Sequence, residues 1–268
     1  MKIAVCIKQV PDSWAEKKMG PDGRLDRASV DAVLNDLDEY AIESALALVE
    51  AHSPTGESGE GSGHTITVIS MGPDRASEAL RKALSMGVDD AILISDEALA
   101  GTDALATSKV LAKVISDGGY DMVICGTEST DARMSVIPAM LAERLNFAQL
   151  TFAGSVAVDG SSVKIARQTE FGVEEMSADF PVVVSVVEKI NEPRYPSFKG
   201  IMASKKKPLV TKTLADIAIA ASDVGTSAAW SAVKDSLPRP ARGAGIKVVD
   251  DGNGGTQLVA FLAERKLV

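Results

Sequence analysis

The stretch YDMVICGTESTDARMSVIPAMLAERLN, residues 120–146, decides the fold. Its apolar run, YDMVICG, lacks polar alternation, as a strand buried on both faces of a parallel sheet should. Gly126 ends that run, a polar Ser/Thr/Asp/Arg loop follows, and a helical pattern begins with Pro138 near its first turn. Similar apolar runs stand at residues 2–8 (KIAVCIK), 64–71 (HTITVISM) and 90–95 (DAILIS). Helical patterns separate them. One opens at Asn35, a candidate N-cap with Asp38 three residues on, and lines Ala41, Ile42, Ala45, Leu46 and Leu48 along one face. A second carries Ala76, Ala79, Leu80, Ala83 and Leu84 and stops at Gly87. A third is expected to start at Thr102 and stop at Gly118-Gly119. This alternation predicts an α/β fold with a doubly wound, mainly parallel sheet and right-handed crossovers.

Residues 151–189 read differently. Three or four strands, with turns at Asp159-Gly160 and Phe171-Gly172, predict an antiparallel extension of the same sheet. Residues 191–208, NEPRYPSFKGIMASKKKP, then read as neither helix nor strand. They hold three prolines, the large apolar groups of Tyr195, Phe198, Ile201 and Met202, and a Lys205-Lys206-Lys207 cluster. Beyond them the pattern weakens to a short amphipathic C-terminal helix, an arm expected to lie on another surface. The predicted domains are 1–190, 191–208 and 209–268. A long loop at residues 9–34 is expected to be functional, and a Gly/Ser/Glu tract at 52–64 to be a solvated loop.

The 268 residues carry a formal net charge of -9, which argues against a general nucleic-acid binder. Two cysteines, Cys6 and Cys125, each within an apolar run, read as buried small hydrophobes in a reducing compartment. Two distant histidines argue against a structural zinc site. An N-terminus that begins directly as a strand, with no apolar run of about 20 residues anywhere, predicts a cytoplasmic protein without membrane insertion.

Ligands of such sheets sit beyond the carboxyl ends of the strands. Those ends are Cys6-Ile7-Lys8, Met71-Gly72-Pro73 and Gly126 with the loop after it. Backbone N–H groups at the helix start suit a phosphate, and Arg133 and Ser135 could add donors; an ordinary strand-to-helix turn is the alternative. No G-x-G-x-x-G follows the first strand, and no G-x-x-x-x-G-K-[ST], nucleophile elbow or His-centred triad is present. A nucleotide-sized site without catalytic machinery points to a carrier, and no catalytic or metal-binding residue is assigned.

Five blocks in order, V.IKQVPD, GPDRASEALRKALSMGVDDAI, ARQTEFGVEEMSADFPVVVSV, NEPRYPSFKGIMASKKK and PRPARGAGIKV, resemble the β subunits of electron transfer flavoproteins. The resemblance covers nearly the whole chain and implies a sheet of the adenine-nucleotide-binding type. It implies a heterodimer with an α subunit that holds most of one FAD, and a structural AMP in β. By position the nucleotide contacts would be Cys6, Asn35, Asp36, Leu37, Asp38, Met71 and the run Gly126, Thr127, Glu128, Ser129, Thr130, Asp131, Ala132, Arg133, Met134, Ser135, Val136 and Ile137. Ser13, followed by Trp14, and Leu37 stand where members often carry flavin-facing aromatics. Residues 191–208 match the loop that docks partner dehydrogenases, with Phe198 as anchor, Tyr195, Ile201 and Met202 around it, and Lys205, Lys206 and Lys207 steering acidic partners. The resemblance further implies electrons from flavin dehydrogenases such as acyl-CoA dehydrogenases, as in fatty acid oxidation, passed to a membrane quinone oxidoreductase. Alternatives are an adenine-nucleotide α hydrolase-like enzyme and a bifurcating-type subunit with a second FAD.

Overall fold

A computed structural model describes residues 1–53, 59, 62–237 and 239–268; most of the expected solvated tract at 52–64 lies outside the described residues. In chain order the elements are β1 (Lys2–Cys6), β2 (Gln9–Pro11), β3 (Ala32–Leu34), α1 (Asp36–His52), β4 (Thr65–Met71), α2 (Ser77–Met86), β5 (Asp90–Ile94), α3 (Ala104–Gly118), β6 (Met122–Gly126), α4 (Ile137–Leu145), β7 (Ala148–Asp159), β8 (Ser162–Thr169), β9 (Gly172–Asp179), β10 (Val182–Val186), α5 (Phe198–Ser204), β11 (Leu209–Lys212), α6 (Gly225–Ala228) and α7 (Gly254–Glu264).

The apolar runs form the centre of a nine-stranded sheet of order β11-β5-β4-β1-β6-β10-β7-β8-β9. β8 is antiparallel to both neighbours, and the other ladders are parallel. The α/β class and the antiparallel extension are as expected. The insertion of β10 between β6 and β7 is not visible in sequence order. β7 is bent. A straight strand of its 12 residues would run roughly 40 Å, yet its first residue and Ser161, two residues beyond its last, both bond the Phe180-Pro181 dipeptide. The Ala148 N–H donates to the Pro181 carbonyl, and the Phe180 N–H donates to the Ser161 carbonyl. The bend sits at Phe152, a non-glycine residue with φ +62°.

The sheet is covered on both faces. α1 and α2 bury Ile42, Ala45, Leu46, Leu80 and Leu84 against Ile3, Val5, Ile66, Val68 and Ile124. α3 and α4 bury Val110, Ile115 and Leu141 against Ala4, Ile69, Val123 and Val183. Each fully buried Ile or Leu contributes about 1.5–3 kcal/mol from apolar area. α3 begins at Ala104 rather than Thr102, because the Asp103 carboxylate accepts the Ala106 N–H and caps the helix. Gly119, in the left-handed region, ends it.

Two further expectations need correction. Residues 191–208 contain a short helix, α5. Strand β11 then returns the chain to the edge of the sheet beside β5, and Leu214, Ile217, Ile219 and Val224 are buried in the core on the α3/α4 face. The α/β unit therefore runs from Met1 to Lys234, well past 190. The second unit, Asp235–Val268, has one helix among its described residues, α7, none of whose residues is buried. Among the described residues no helix is long and apolar enough to cross a membrane.

Candidate functional site

Because β4, β1 and β6 are adjacent and parallel, Met71, Cys6 and Gly126 finish at one edge of the sheet. Cys6 and Cys125 are paired across the β1–β6 ladder, both buried and both free thiols. Contact with Cys6 and burial push the Cys125 thiol well above its ordinary range, so it is a poor nucleophile. Cys6 and Met71 pack on the α3/α4 core.

Gly126 meets the start of α1. A Cβ there would lie 2.7 Å from the Leu37 carbonyl carbon and oxygen and 2.6 Å from the Asp38 carboxylate. Asp38 is buried, and its carboxylate accepts the Lys8 N–H at 2.8 Å. Burial pushes the Asp38 carboxyl up to about 7, against the downward pull of the Asn35 amide, the Lys8 and Gly126 N–H groups and the Lys8 charge. Asn35 occupies the N-cap position of α1, but its side chain caps nothing. Instead it donates to the Glu128 carbonyl at 2.9 Å and accepts the Thr130 N–H at 3.0 Å. The expected cap is a clamp on the loop after β6. Asp36, exposed, and Leu37, half-buried, complete this helix start.

The loop itself is held by charges. The side chain of Asp131 is fully buried between the Lys8 ammonium and the Arg27 guanidinium, each at 2.8 Å. Burial alone would raise this carboxyl. The Lys8 charge and hydrogen bonds from Lys8, Ser129 and Arg27 outweigh it and hold Asp131 at about 2. Lys8 also reaches the Ser129 hydroxyl, Lys17 donates to the Thr130 carbonyl at 3.0 Å, and Thr127 donates to the Val186 carbonyl at 2.6 Å. Arg133 and Ser135 both have positive φ, +50° and +54°, and both turn to Glu128, Ser135 by a 3.0 Å hydrogen bond. Ala132 and Met134 are exposed. Val136 stands at the N-cap of α4 and Ile137 starts it, with no side-chain cap and no acidic residue in the first turn. By contrast Asp103 caps α3 and Ser197 caps α5. Pro138 has no N–H, so the first turn of α4 offers the N–H groups of Ile137 and Ala139, which no side chain caps.

Lys8 stands at a predicted strand end, but Arg27 and Lys17 carry no signal of their own in the sequence. Arg27 and Lys17 come from the long 9–34 loop, which β2 and β3 close at its ends and which Arg75 props through the carbonyls of Arg27, Ala28 and Val30. The length of that loop was the signal; the pairing of its charges with Asp131 had none.

The second cluster lies on the 191–208 loop. Tyr195 is 95% exposed and Phe198 81%, while Ile201 and Met202 are about half exposed. Lys205 and Lys206 are exposed. Lys207 differs from them: its ammonium donates to the carbonyls of Leu84, Gly87 and Val88, at 3.2, 2.9 and 2.6 Å, and closes the end of α2. It is a structural cation, not a steering one.

A profile of the electron transfer flavoprotein domain matches residues 22–217 of this chain. The electron transfer flavoprotein subunit beta of Mycobacterium leprae is 45% identical over 268 residues, 99% of each chain. That of Megasphaera elsdenii is 35% identical over 280 residues, covering both chains fully. The caffeyl-CoA reductase-Etf complex subunit CarD of Acetobacterium woodii is 34% identical over 273 residues, again covering both chains. This chain belongs to the electron transfer flavoprotein family, among its β subunits.

Proposed function

We propose that this β subunit forms, with its α partner, an electron carrier that takes electrons from flavin dehydrogenases, such as acyl-CoA dehydrogenases, and passes them to a membrane quinone oxidoreductase. FAD is held mainly by the α subunit, and AMP sits structurally beside the loop after β6, in the cytoplasm. The observation that carries the nucleotide reading is the uncapped, acid-free start of α4 at the carboxyl end of β6. It suits one phosphate. Cys6 and Met71 fit an adenosine as apolar walls, and Asn35, Asp38 and the loop from Gly126 to Ile137 fix its place. A nucleotide bound there supplies order to this loop and no chemistry, and no residue of this chain is assigned a catalytic step. Phe198, with Tyr195, Ile201 and Met202, docks the dehydrogenase, and Lys205 and Lys206 steer it.

A second reading, a bifurcating-type subunit with FAD in place of AMP, is favoured by the similarity to the Acetobacterium woodii subunit. The test is to co-purify the chain with its α subunit, denature the complex and quantify the released nucleotides. About one FAD and one AMP per heterodimer support the simple carrier. Two FAD without AMP establish the second reading. An adenine nucleotide that turns over, with no stable flavin-bearing partner, overturns both.

A further inference from the structure

The exposed side chains of the 191–208 loop sit on a backbone tied down at both ends. At the first end, the Arg194 guanidinium grips two carboxylates of α1. Its Nε and Nη2 reach both oxygens of Glu43 at 2.8 Å, and Nη1 and Nη2 reach both oxygens of Glu50 at 2.5 and 3.0 Å. The Arg194 backbone N–H donates to Glu43 as well, at 3.1 Å. Asn191 adds bonds to the Tyr40 carbonyl and the Ser44 hydroxyl. At the other end, Gly200 lies on α2 so closely that a Cβ would stand 2.4 Å from the Ser85 carbonyl. Arg81 donates to the Ser204 and Lys207 carbonyls there.

Glu43 is a mid-helix carboxylate that is 8% exposed, and Arg194 is its only charged partner among the described residues. Burial would raise its pKa, and the Arg194 hydrogen bonds and charge hold it below the ordinary carboxylate value instead. A fork of parallel N–H bonds to a largely buried carboxylate fixes direction as well as distance, which a lysine cannot reproduce. Tyr195 follows directly, between Pro193 and Pro196, and Phe198 stands three residues further on.

We propose that Arg194 is the positioning residue of the docking loop: by clamping α1 it holds Tyr195 and Phe198 outward in their binding arrangement before any partner arrives. This rests on the reading of Phe198 as the docking anchor. The loop then loses little conformational freedom on binding, so affinity comes from preorganisation as much as from contact.

The test uses the complete heterodimer and an acyl-CoA dehydrogenase charged with its acyl-CoA. Two quantities are read: the dehydrogenase concentration giving half-maximal flavin reduction, and amide hydrogen exchange of residues 191–204 in the free heterodimer. Arg194→Met is expected to raise the half-saturating concentration about tenfold with the maximal rate unchanged, and to quicken exchange in the loop. Arg194→Lys should do nearly the same. Glu50→Gln, which leaves the less exposed Glu43 pair intact, should shift both in the same direction by less, and it serves if Arg194→Met does not fold. Phe198→Ala should raise the half-saturating concentration and leave exchange unaltered. If Phe198→Ala weakens docking while the Arg194 variants change neither quantity, the clamp is wrong and the docking reading stands. Faster exchange with unchanged half-saturation also overturns the clamp. If neither Phe198→Ala nor Arg194→Met changes half-saturation, the docking reading fails, and the clamp with it.

Discussion

Two loops leave neighbouring strands, β6 and β10, at the same edge of the sheet, and both are fastened to α1. Their surfaces are opposite in kind. The loop after β6 has its charged side chains paired, Asp131 with Lys8 and Arg27 from elsewhere in the chain and Glu128 with Arg133 and Ser135, and it leads into a helix start without a side-chain cap. The loop after β10 uses Arg194 to fix its own backbone, and Lys207 just beyond closes α2, which leaves the apolar Phe198 facing out. The contrast shows how one scaffold presents two binding chemistries: the polar side chains that build a loop determine which groups are left over for a ligand. Under the proposed function, anion recognition falls to the first loop and apolar docking to the second.

The contact between Gly126 and α1 is where the first loop breaks most easily. A methyl group there meets the backbone of Leu37, which cannot swing away. Gly126→Ala is expected to cost about 3 kcal/mol or more and to lose bound nucleotide, measured by thermal melting and nucleotide release. A melting temperature equal to wild type would show the approach is looser than drawn. Asp131→Asn comes next, at about 2 kcal/mol, since it leaves two cations facing an amide. Because Asp131 is held at about 2 against 3.8, its stabilisation is present above about pH 4 and drains away as pH falls toward 2.

Asp38 titrates in the opposite sense. With a carboxyl at about 7 instead of 3.8, the folded chain keeps a proton that the unfolded chain has released. The associated stability is complete below about pH 4 and is lost as pH rises to about 7, with a slope of at most about 1.4 kcal/mol per pH unit. Asp38→Asn should therefore be more tolerable at pH 8 than at pH 5, and urea midpoints at the two values would reveal it. Equal penalties at both would mean that Asp38 stays ionised in the fold.

Much of this architecture was legible because parallel strands and amphipathic helices announce themselves locally. Met122 to Cys125 could hardly be anything but an interior strand, and Gly87 and Gly119 end their helices as glycines do. β10 reads as a strand in sequence, yet its place between β6 and β7 goes with a bend at Phe152 that no residue type advertises. β11 hid behind three lysines and a proline. Within the site, Cys6, Met71 and Gly126 follow from the rule about strand ends. The partners of Asp131 do not, because Lys8 and Arg27 lie more than a hundred positions away and ion pairs leave no periodicity. Lys207 looked like its neighbours for a similar reason: a run of identical residues does not say which one turns inward.

That run offers a finer test of the contrast. Lys207→Met should cost about 1 kcal/mol by uncovering the last carbonyls of α2, without changing the salt dependence of dehydrogenase association. Lys205→Ala with Lys206→Ala should do the converse, leaving urea stability alone and flattening the fall in association rate with added salt. Identical behaviour of the three lysines in both assays would erase the distinction drawn from their contacts.

The smallest expected effect on stability belongs to Phe198→Ala. A side chain that is 81% exposed has little apolar area to lose on truncation, and its backbone is held by Ser197 and Arg194 rather than by its ring. The change in urea stability should stay within about 0.5 kcal/mol, and flavin content should be unaltered. Reduction by an acyl-CoA dehydrogenase should nonetheless slow at low dehydrogenase concentration, since one aromatic anchor can dominate a small interface. A large loss of stability would place the ring against its own domain. An unslowed reduction would leave this exposed phenylalanine without the role that its pinned, outward display supports.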